Sequence, residues 1–347
     1  MSERNPVNEK PPDIAIIGAG PIGLELAVAL KRAGLKVLQF DAHQIGHTIS
    51  WFAPQTRFFS SAERIAIAGV PLQTVDQSKP SREEYLTYLR SIVEMFDLDV
   101  RVEEPVFRIQ RENGGFKITT SRGAYTVPKL VLATGGTARP RLLNIPGESL
   151  PHVSHYFLDP YHYFRRRLLI VGGRNSAVEA AIRCYRGGSF VALSYRRPKL
   201  DPAILKYWLT PEINGLLENG KIEPHFHTVP IAIEHDRVHL RREDGNEYWV
   251  AAGAVLLLTG YEADMTLCKQ LGVDLKVDSL APQFDPHTMQ TNIPNLYVAG
   301  TATGGTQSRF TIFIENCHVH VQRIVAALTG AKAPAEPPVS APEKLES

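Results

Sequence analysis

One pattern occurs twice in this chain and limits its fold more than any other feature. An apolar strand runs into a glycine-rich turn, then a helix, a glycine stop and a second apolar strand. The first copy is Asp13-Ile-Ala-Ile-Ile-Gly18-Ala-Gly20-Pro-Ile-Gly23, a helix over 24–33, Gly34, and Lys36-Val-Leu-Gln-Phe-Asp41. The second is Leu168-Leu-Ile-Val-Gly172-Gly-Arg-Asn-Ser-Ala177, a helix to about Arg186, Gly187-Gly188, and Phe190-Val-Ala-Leu-Ser-Tyr195. Strands that are apolar throughout belong to parallel sheets covered on both faces. Both copies read as βαβ units. Each leads through a β-rich region to an apolar strand that ends in Thr-Gly, at Leu130–Gly136 and at Val255–Tyr261. The repetition is an internal duplication of a nucleotide-binding domain.

The fold class that follows is α/β, with two Rossmann-type nucleotide-binding domains carrying β-meander insertions. A length of 347 residues suits two domains. A further strand, Asn295–Gly300, comes after the second copy, and an apolar helix is expected from about Thr311 to Leu328 with Gly330 as its stop. The simplest arrangement inserts the second domain into the first. Residues 13–158 and 286–330 then form domain one and 159–285 form domain two, while the polar 1–12 and the Pro/Ala-rich 331–347 are expected to be disordered.

Composition removes other classes. Lys+Arg is 38 and Asp+Glu is 36, a net charge of +2, which gives no pull towards nucleic acid or a membrane surface. Cys184, Cys268 and Cys317 stand far apart, so there is no disulfide scaffold, CxxC dithiol or cysteine zinc site. A reduced, cytoplasmic setting fits. The segment Met1–Pro12 lacks the apolar core of a signal peptide. The apolar stretch Ile14–Leu30 is interrupted by glycines, Pro21 and Glu25, against a membrane span. Of the twelve histidines, the clusters His152, His155, His162 and His225, His227 form no obvious helical i,i+4 pair that would suggest a metal site, and the histidines read as loop or surface residues.

The motif Gly18-x-Gly20-x-x-Gly23 lies between strand and helix, and Asp41 ends the next strand. Gly18 allows the tight turn, Gly20 lets backbone approach a pyrophosphate, and Gly23 lets helix pack on strand. Pro21 is counted with this loop among the nucleotide contacts, and the free N–H groups and dipole of the helix that follows favour phosphate. Asp41 can accept hydrogen bonds from a ribose. In the second copy, Gly172-Gly173-Arg174-Asn175-Ser176-Ala177, an arginine replaces the middle glycine. Arg174 either covers a phosphate or is solvated. The counterpart of Asp41 is the basic pair Arg196-Arg197, which favours the 2′-phosphate of NADPH over the free ribose of NADH. Two such sites imply a relay, with FAD held in domain one and NADPH visiting domain two. The amino end of the helix at Thr311 would supply positive potential beside the flavin. Glu179 either orients the nicotinamide or is a solvated helix charge.

The chain resembles the YpdA-type bacillithiol-disulfide reductases of the thioredoxin-reductase-like flavoproteins from about Asp13 to Gly330. The likeness is carried by Phe58-Phe-Ser-Ser61, Gly69-Val-Pro71, Ser78-Lys-Pro80, His155-Tyr-Phe157, Tyr161-His-Tyr-Phe164, Gly172–Ala177, Tyr195-Arg196, Thr291-Asn292, Tyr297–Gly300 and Thr311-Ile-Phe-Ile-Glu-Asn316. It implies FAD, NADPH and a small disulfide acceptor such as an oxidised low-molecular-weight thiol. Val106, Thr134, Gly135, Gly300, Thr311 and Ile312 join the first glycine loop as expected FAD contacts. No residue is assigned as acid, base or nucleophile.

One departure bears on the acceptor. The family's first glycine loop usually reads Gly-Pro-Cys-Gly, and its cysteine is the candidate redox thiol; here the loop is Gly20-Pro21-Ile22-Gly23. Cys317 is either a substitute thiol or a core residue. Transfer to an electron-carrier protein, flavin monooxygenation and non-catalytic redox sensing stay open as alternatives. The monooxygenase signature F-x-G-x-x-x-H-x-x-x-[FW] is out of register, with Pro151 where it needs His. The aromatic segment His47–Ser61 either lines the flavin ring or plugs the space between domains. Homo-oligomerisation stays open.

Overall fold

The computed structural model describes residues 11–307 and 310–331. The terminal segments expected to be disordered lie outside these residues, apart from Pro11, Pro12 and Ala331. The chain divides into two compact units. Among the described residues, unit 1 takes those from Pro11 to Ser50, then Ser60–Arg139 and those from Glu262 to Ala331. Unit 2 takes Trp51–Phe59 and Pro140–Tyr261.

Unit 1 is built on a five-stranded parallel sheet. Its order is Leu296–Val298, Leu130–Leu132, β1 (Ile14–Ile17), β2 (Val37–Phe40) and Val100–Arg101. Successive side chains of a strand point to opposite faces, and β1 shows how both become covered. Ile14 and Ile16 pack with Leu26 and Leu30 of α1 (Pro21–Arg32) and with Val321 and Ile324 of the last helix. Ala15 and Ile17 pack with Ile109, Phe116 and Ile118 of the antiparallel meander Val106–Val127. All four β1 residues are buried.

Unit 2 repeats the plan. Its sheet runs Glu223–Phe226, β4 (Phe190–Tyr195), β3 (Arg167–Val171), Ala254–Leu257 and Val153–Ser154, all parallel. Leu168 and Ile170 face α2 (Asn175–Arg186), whose Ala177, Val178 and Ala181 are buried. Leu169 and Val171 face the meander through Ile233, Val238, Leu240 and Val250.

The unit boundaries fall at 139/140 and 261/262, rather than at the expected 158/159 and 285/286. Packing explains the shift. Leu143, Ile145 and Leu150 cover the meander face of unit 2. Met265, Cys268, Leu271 and Val273 belong to the core of unit 1.

The helix expected from Thr311 begins later. α3 spans His318–Thr329 and is preceded by a single 3₁₀ turn, Ile314–Asn316. The Asn316 side chain accepts a bond from Phe313 N–H (2.9 Å) and donates to Thr311 O (2.7 Å). Such local side-chain bonds offer the backbone an alternative to helix. Thr311 therefore lies in a loop, and its N–H is not part of a helix terminus.

Candidate functional site

Within unit 1, Gly18, Gly20, Pro21, Gly23, Asp41, Thr134, Gly135 and Gly300 gather at or just beyond the carboxyl ends of neighbouring parallel strands. In open α/β sheets, ligands bind there. The three loop glycines differ in kind. Gly18 has φ +115°, and a Cβ on it would lie 2.3 Å from Ala133 O. A Cβ on Gly23 would lie 2.2 Å from Gly18 O. Both are required by the fold. Gly20 has φ −77° and ψ 178°, and a Cβ there would meet nothing within 4 Å. Packing leaves its outer face open, as close approach of a pyrophosphate requires. The first turn of α1 has no side-chain cap and no acidic residue, so its N–H groups and dipole face that opening uncompensated.

Asp41 holds the loop from the other side. Its Oδ2 accepts from Ala19 N–H at 2.7 Å and its Oδ1 from His43 N–H at 2.9 Å. Burial pushes its pKa up, against those two bonds. Each carboxylate oxygen keeps a second lone pair for a ribose hydroxyl. Gly135 and Gly300 both have positive φ, +81° and +70°. Gly300 N–H donates to His320 Nδ1 at 3.2 Å. Burial lowers the His320 pKa to about 4, so its ring is neutral and Nδ1 can accept. Val106 begins the meander and packs against the core that holds Ile17 and Phe40. Thr311 and Ile312 give both backbone N–H groups to Gln307 Oε1, at 2.9 and 3.0 Å. Sequence reasoning missed Gln307 and His320, since an isolated amide and a helical histidine carry no motif.

Ile22 is buried in one core with Cys317, Val321 and Ile324. The position where a redox thiol was sought is thus apolar packing. Burial raises the thiols of Cys184 and Cys317 to about 12 and of Cys268 to about 11. All three cysteines are free and buried. The thiolate is the reactive form, so none is a poised nucleophile, and Cys317 belongs to the core.

Within unit 2, Gly172 has φ +145°, and a Cβ there would lie 2.5 Å from Leu258 O. Gly173 is set by packing too: a Cβ would fall 2.4 Å from the buried Tyr195 ring. Arg174 caps α2 in an extended conformation and is exposed, as is Ser176. Asn175 is spent on structure. Its Oδ1 accepts from Lys206 N–H (2.6 Å) and its Nδ2 donates to Ile204 O (3.3 Å). Arg196 and Arg197 are exposed directly after β4. Among the described residues no carboxylate pairs with either guanidinium.

Glu179 is not a solvated charge. It lies 3.0 Å from Lys206 Nζ and 4.0 Å from Arg183 Nη1, with all three side chains largely covered. Lys206 also donates to Arg57 O and Arg183 to Pro54 O, while Phe59 stacks on Trp208. The segment 51–59 is thereby fastened to unit 2. The signal missed in the sequence is Lys206, a cation inside the apolar run Ile204–Leu209.

Two glycine loops at the ends of parallel strands, one opposite an acid and one opposite two arginines, define a protein that binds two dinucleotides. Comparison with known proteins places it further. The model of the pyridine nucleotide-disulphide oxidoreductase family matches residues 15–300. Bacilliredoxin reductase Bdr of Bacillus subtilis (strain 168) is 33% identical over 314 residues, covering 90% of this chain and 96% of that one. Bacillithiol disulfide reductase Bdr (YpdA) from Staphylococcus aureus superposes with a TM-score of 0.87 at 32% identity, over 93% of this chain and all of that one (100%). Ferredoxin–NADP reductase 2 of Bacillus mycoides (strain KBAB4) is 25% identical over 307 residues, 84% of this chain and 85% of that one. The chain belongs to the pyridine nucleotide-disulphide oxidoreductase family. Its fold is thioredoxin-reductase-like, and the family description names a pyridine nucleotide. Among the described residues no helix is long and apolar enough to cross a membrane.

Proposed function

We propose that this oxidoreductase takes hydride from NADPH at unit 2 and passes the electrons, through FAD held by unit 1, to a small disulfide such as an oxidised low-molecular-weight thiol. The observation that carries the reading is the contrast at the two second-strand ends, Asp41 against Arg196 and Arg197. A carboxylate beside a ribose selects a free 2′-hydroxyl; two unpaired guanidiniums favour a 2′-phosphate. FAD, when bound, supplies the two-electron chemistry that links nicotinamide to acceptor. The protein's own part is binding and orientation. The N–H groups at the start of α1 and the bare Gly20 backbone receive the pyrophosphate, and Asp41 holds the ribose. Neutral His320 fixes Gly300 through its N–H bond. Overall, NADPH, a proton and one disulfide give NADP⁺ and two thiols.

A second reading has a specific observation in its favour. With Ile22 in the glycine loop and burial pushing all three thiols up, no cysteine is presented as an accessible thiolate for a mixed disulfide. An electron-carrier protein needs none. The test is anaerobic reduction by NADPH, followed by addition of bacillithiol disulfide or of a ferredoxin. Flavin absorbance should bleach with NADPH and return with the disulfide, two thiols appearing per NADPH. Return with ferredoxin alone selects the second reading. A flavin that NADPH leaves oxidised refutes both.

A further inference from the structure

Thr311 and Ile312 present two adjacent backbone N–H groups, and one side chain already holds both. Gln307 Oε1 accepts from Thr311 N–H and Ile312 N–H at 2.9 and 3.0 Å, and Gln307 Nε2 donates back to Ile312 O at 3.2 Å. The Thr311 hydroxyl adds a longer contact of 3.4 Å to the same oxygen. Space for this carboxamide comes from Gly304: a Cβ there would lie 2.9 Å from Gln307 Cδ. Gln307 itself is half-buried.

The pattern is a carbonyl oxygen facing two donors, with an adjoining N–H facing an acceptor. The pyrimidine edge of a flavin offers the same pattern in its C2 carbonyl and neighbouring N3–H. Each backbone N–H has one proton to give, so the amide and the flavin edge compete. We propose that Gln307 is a built-in stand-in for the flavin's pyrimidine edge, occupying the Thr311–Ile312 N–H pair until FAD displaces it. This rests on reading Thr311 and Ile312 as FAD contacts, and it adds a determinant of how fast and how tightly the flavin is taken up. The other amide of the loop, Asn316, bonds to Phe313 N–H and Thr311 O, leaving both disputed donors to Gln307.

The cost to FAD binding follows from population arithmetic. Three modest hydrogen bonds, offset by the ordering of one glutamine side chain, give a closed-to-open ratio of about ten. Apparent affinity falls by the same factor, and the loss appears in association because only open molecules bind.

The test uses the full-length protein stripped of flavin, with FAD and ADP as probes; ADP lacks the pyrimidine edge. Gln307→Ala is expected to bind FAD about tenfold tighter through faster association, with dissociation unchanged. Gln307→Met keeps the side chain's bulk but has no strong acceptor, so it is expected to bind FAD tighter as well, which separates the lost hydrogen bonds from mere opening of space. ADP affinity should be the same in all three proteins. Unchanged or weaker FAD binding by Gln307→Ala overturns the proposal, because Gln307 then supports the bound site. An ADP affinity that moves together with that of FAD also overturns it, by showing a general loss of fold. If the wild-type chain binds ADP but no FAD, the flavin assignment itself fails, and that result is distinct from a variant effect.

Discussion

Gly20→Ala separates what the first glycine loop does for the fold from what it does for a nucleotide. The backbone at Gly20, φ −77° and ψ 178°, is one that alanine adopts freely, and the added methyl meets no atom within 4 Å. Two small effects on stability oppose each other. Glycine is a better helix N-cap than alanine, by about 0.5–1 kcal/mol. Alanine narrows the unfolded ensemble, recovering about 0.4–1 kcal/mol. The flavin-stripped protein should therefore unfold within about 0.5 kcal/mol of wild type. FAD affinity should behave differently, because the methyl stands where backbone and pyrophosphate would touch. A loss of about 10–100-fold, or about 1.4–2.7 kcal/mol, is expected. The same amount should disappear from the stabilisation that saturating FAD confers. Urea unfolding without flavin, paired with an FAD titration, reads both quantities. Gly18→Ala is the control. Its methyl would lie 2.3 Å from Ala133 O at φ +115°, so it should lose at least about 2 kcal/mol without any ligand. If Gly20→Ala bound FAD as wild type does, the pyrophosphate would lie elsewhere and the reading of this loop would be wrong.

Three further outcomes follow from the same geometry. Reversing charge at Arg196 and Arg197 together should cut the NADPH:NADH preference by at least about tenfold in steady-state rates, since each unpaired guanidinium offers a charge-assisted bond to phosphate; an unchanged ratio would place the 2′-phosphate elsewhere. At pH 8 the folded protein should react with thiol reagents only very slowly, because thiols at about 12 and about 11 are almost wholly protonated; all three should appear on denaturation, and a fast-reacting thiol in the native state would reopen Cys317 as a redox group. His318 donates to Glu25 Oε2 (2.7 Å) and to Arg64 O (3.0 Å), and the Glu25 bond raises its pKa. A raised histidine pKa stabilises fully below the unfolded value of about 6.5 and the contribution fades as pH rises through the folded value. Glu25→Gln should therefore cost about 1.5 kcal/mol near pH 6 and much less near pH 9; a pH-independent cost in urea unfolding would show that the pair is not ionic.

How much of this was legible depends on how local each determinant is. The duplication could be read because a parallel strand needs an unbroken apolar run and a phosphate turn needs glycine, and both needs are met within about ten residues of sequence. The same locality misled at Thr311. Apolar spacing suits a helix from that point, but two side-chain amides, Gln307 and Asn316, claim the backbone first. Hydrophobic periodicity does not register an amide that reaches forward four residues or back three. Long-range determinants were out of reach altogether. Segment 51–59 joins unit 2 through Arg183 and Lys206, which stand more than a hundred residues away. Nothing in its own aromatic composition points to those two partners. The glycines illustrate both sides. As sequence, Gly18, Gly20 and Gly23 are one motif with one purpose. In the structure two are demanded by backbone contacts under 2.5 Å, and only the middle one is left unexplained by packing. A residue that the fold does not require is the one a ligand must account for, and Gly20 therefore says more about function than either neighbour.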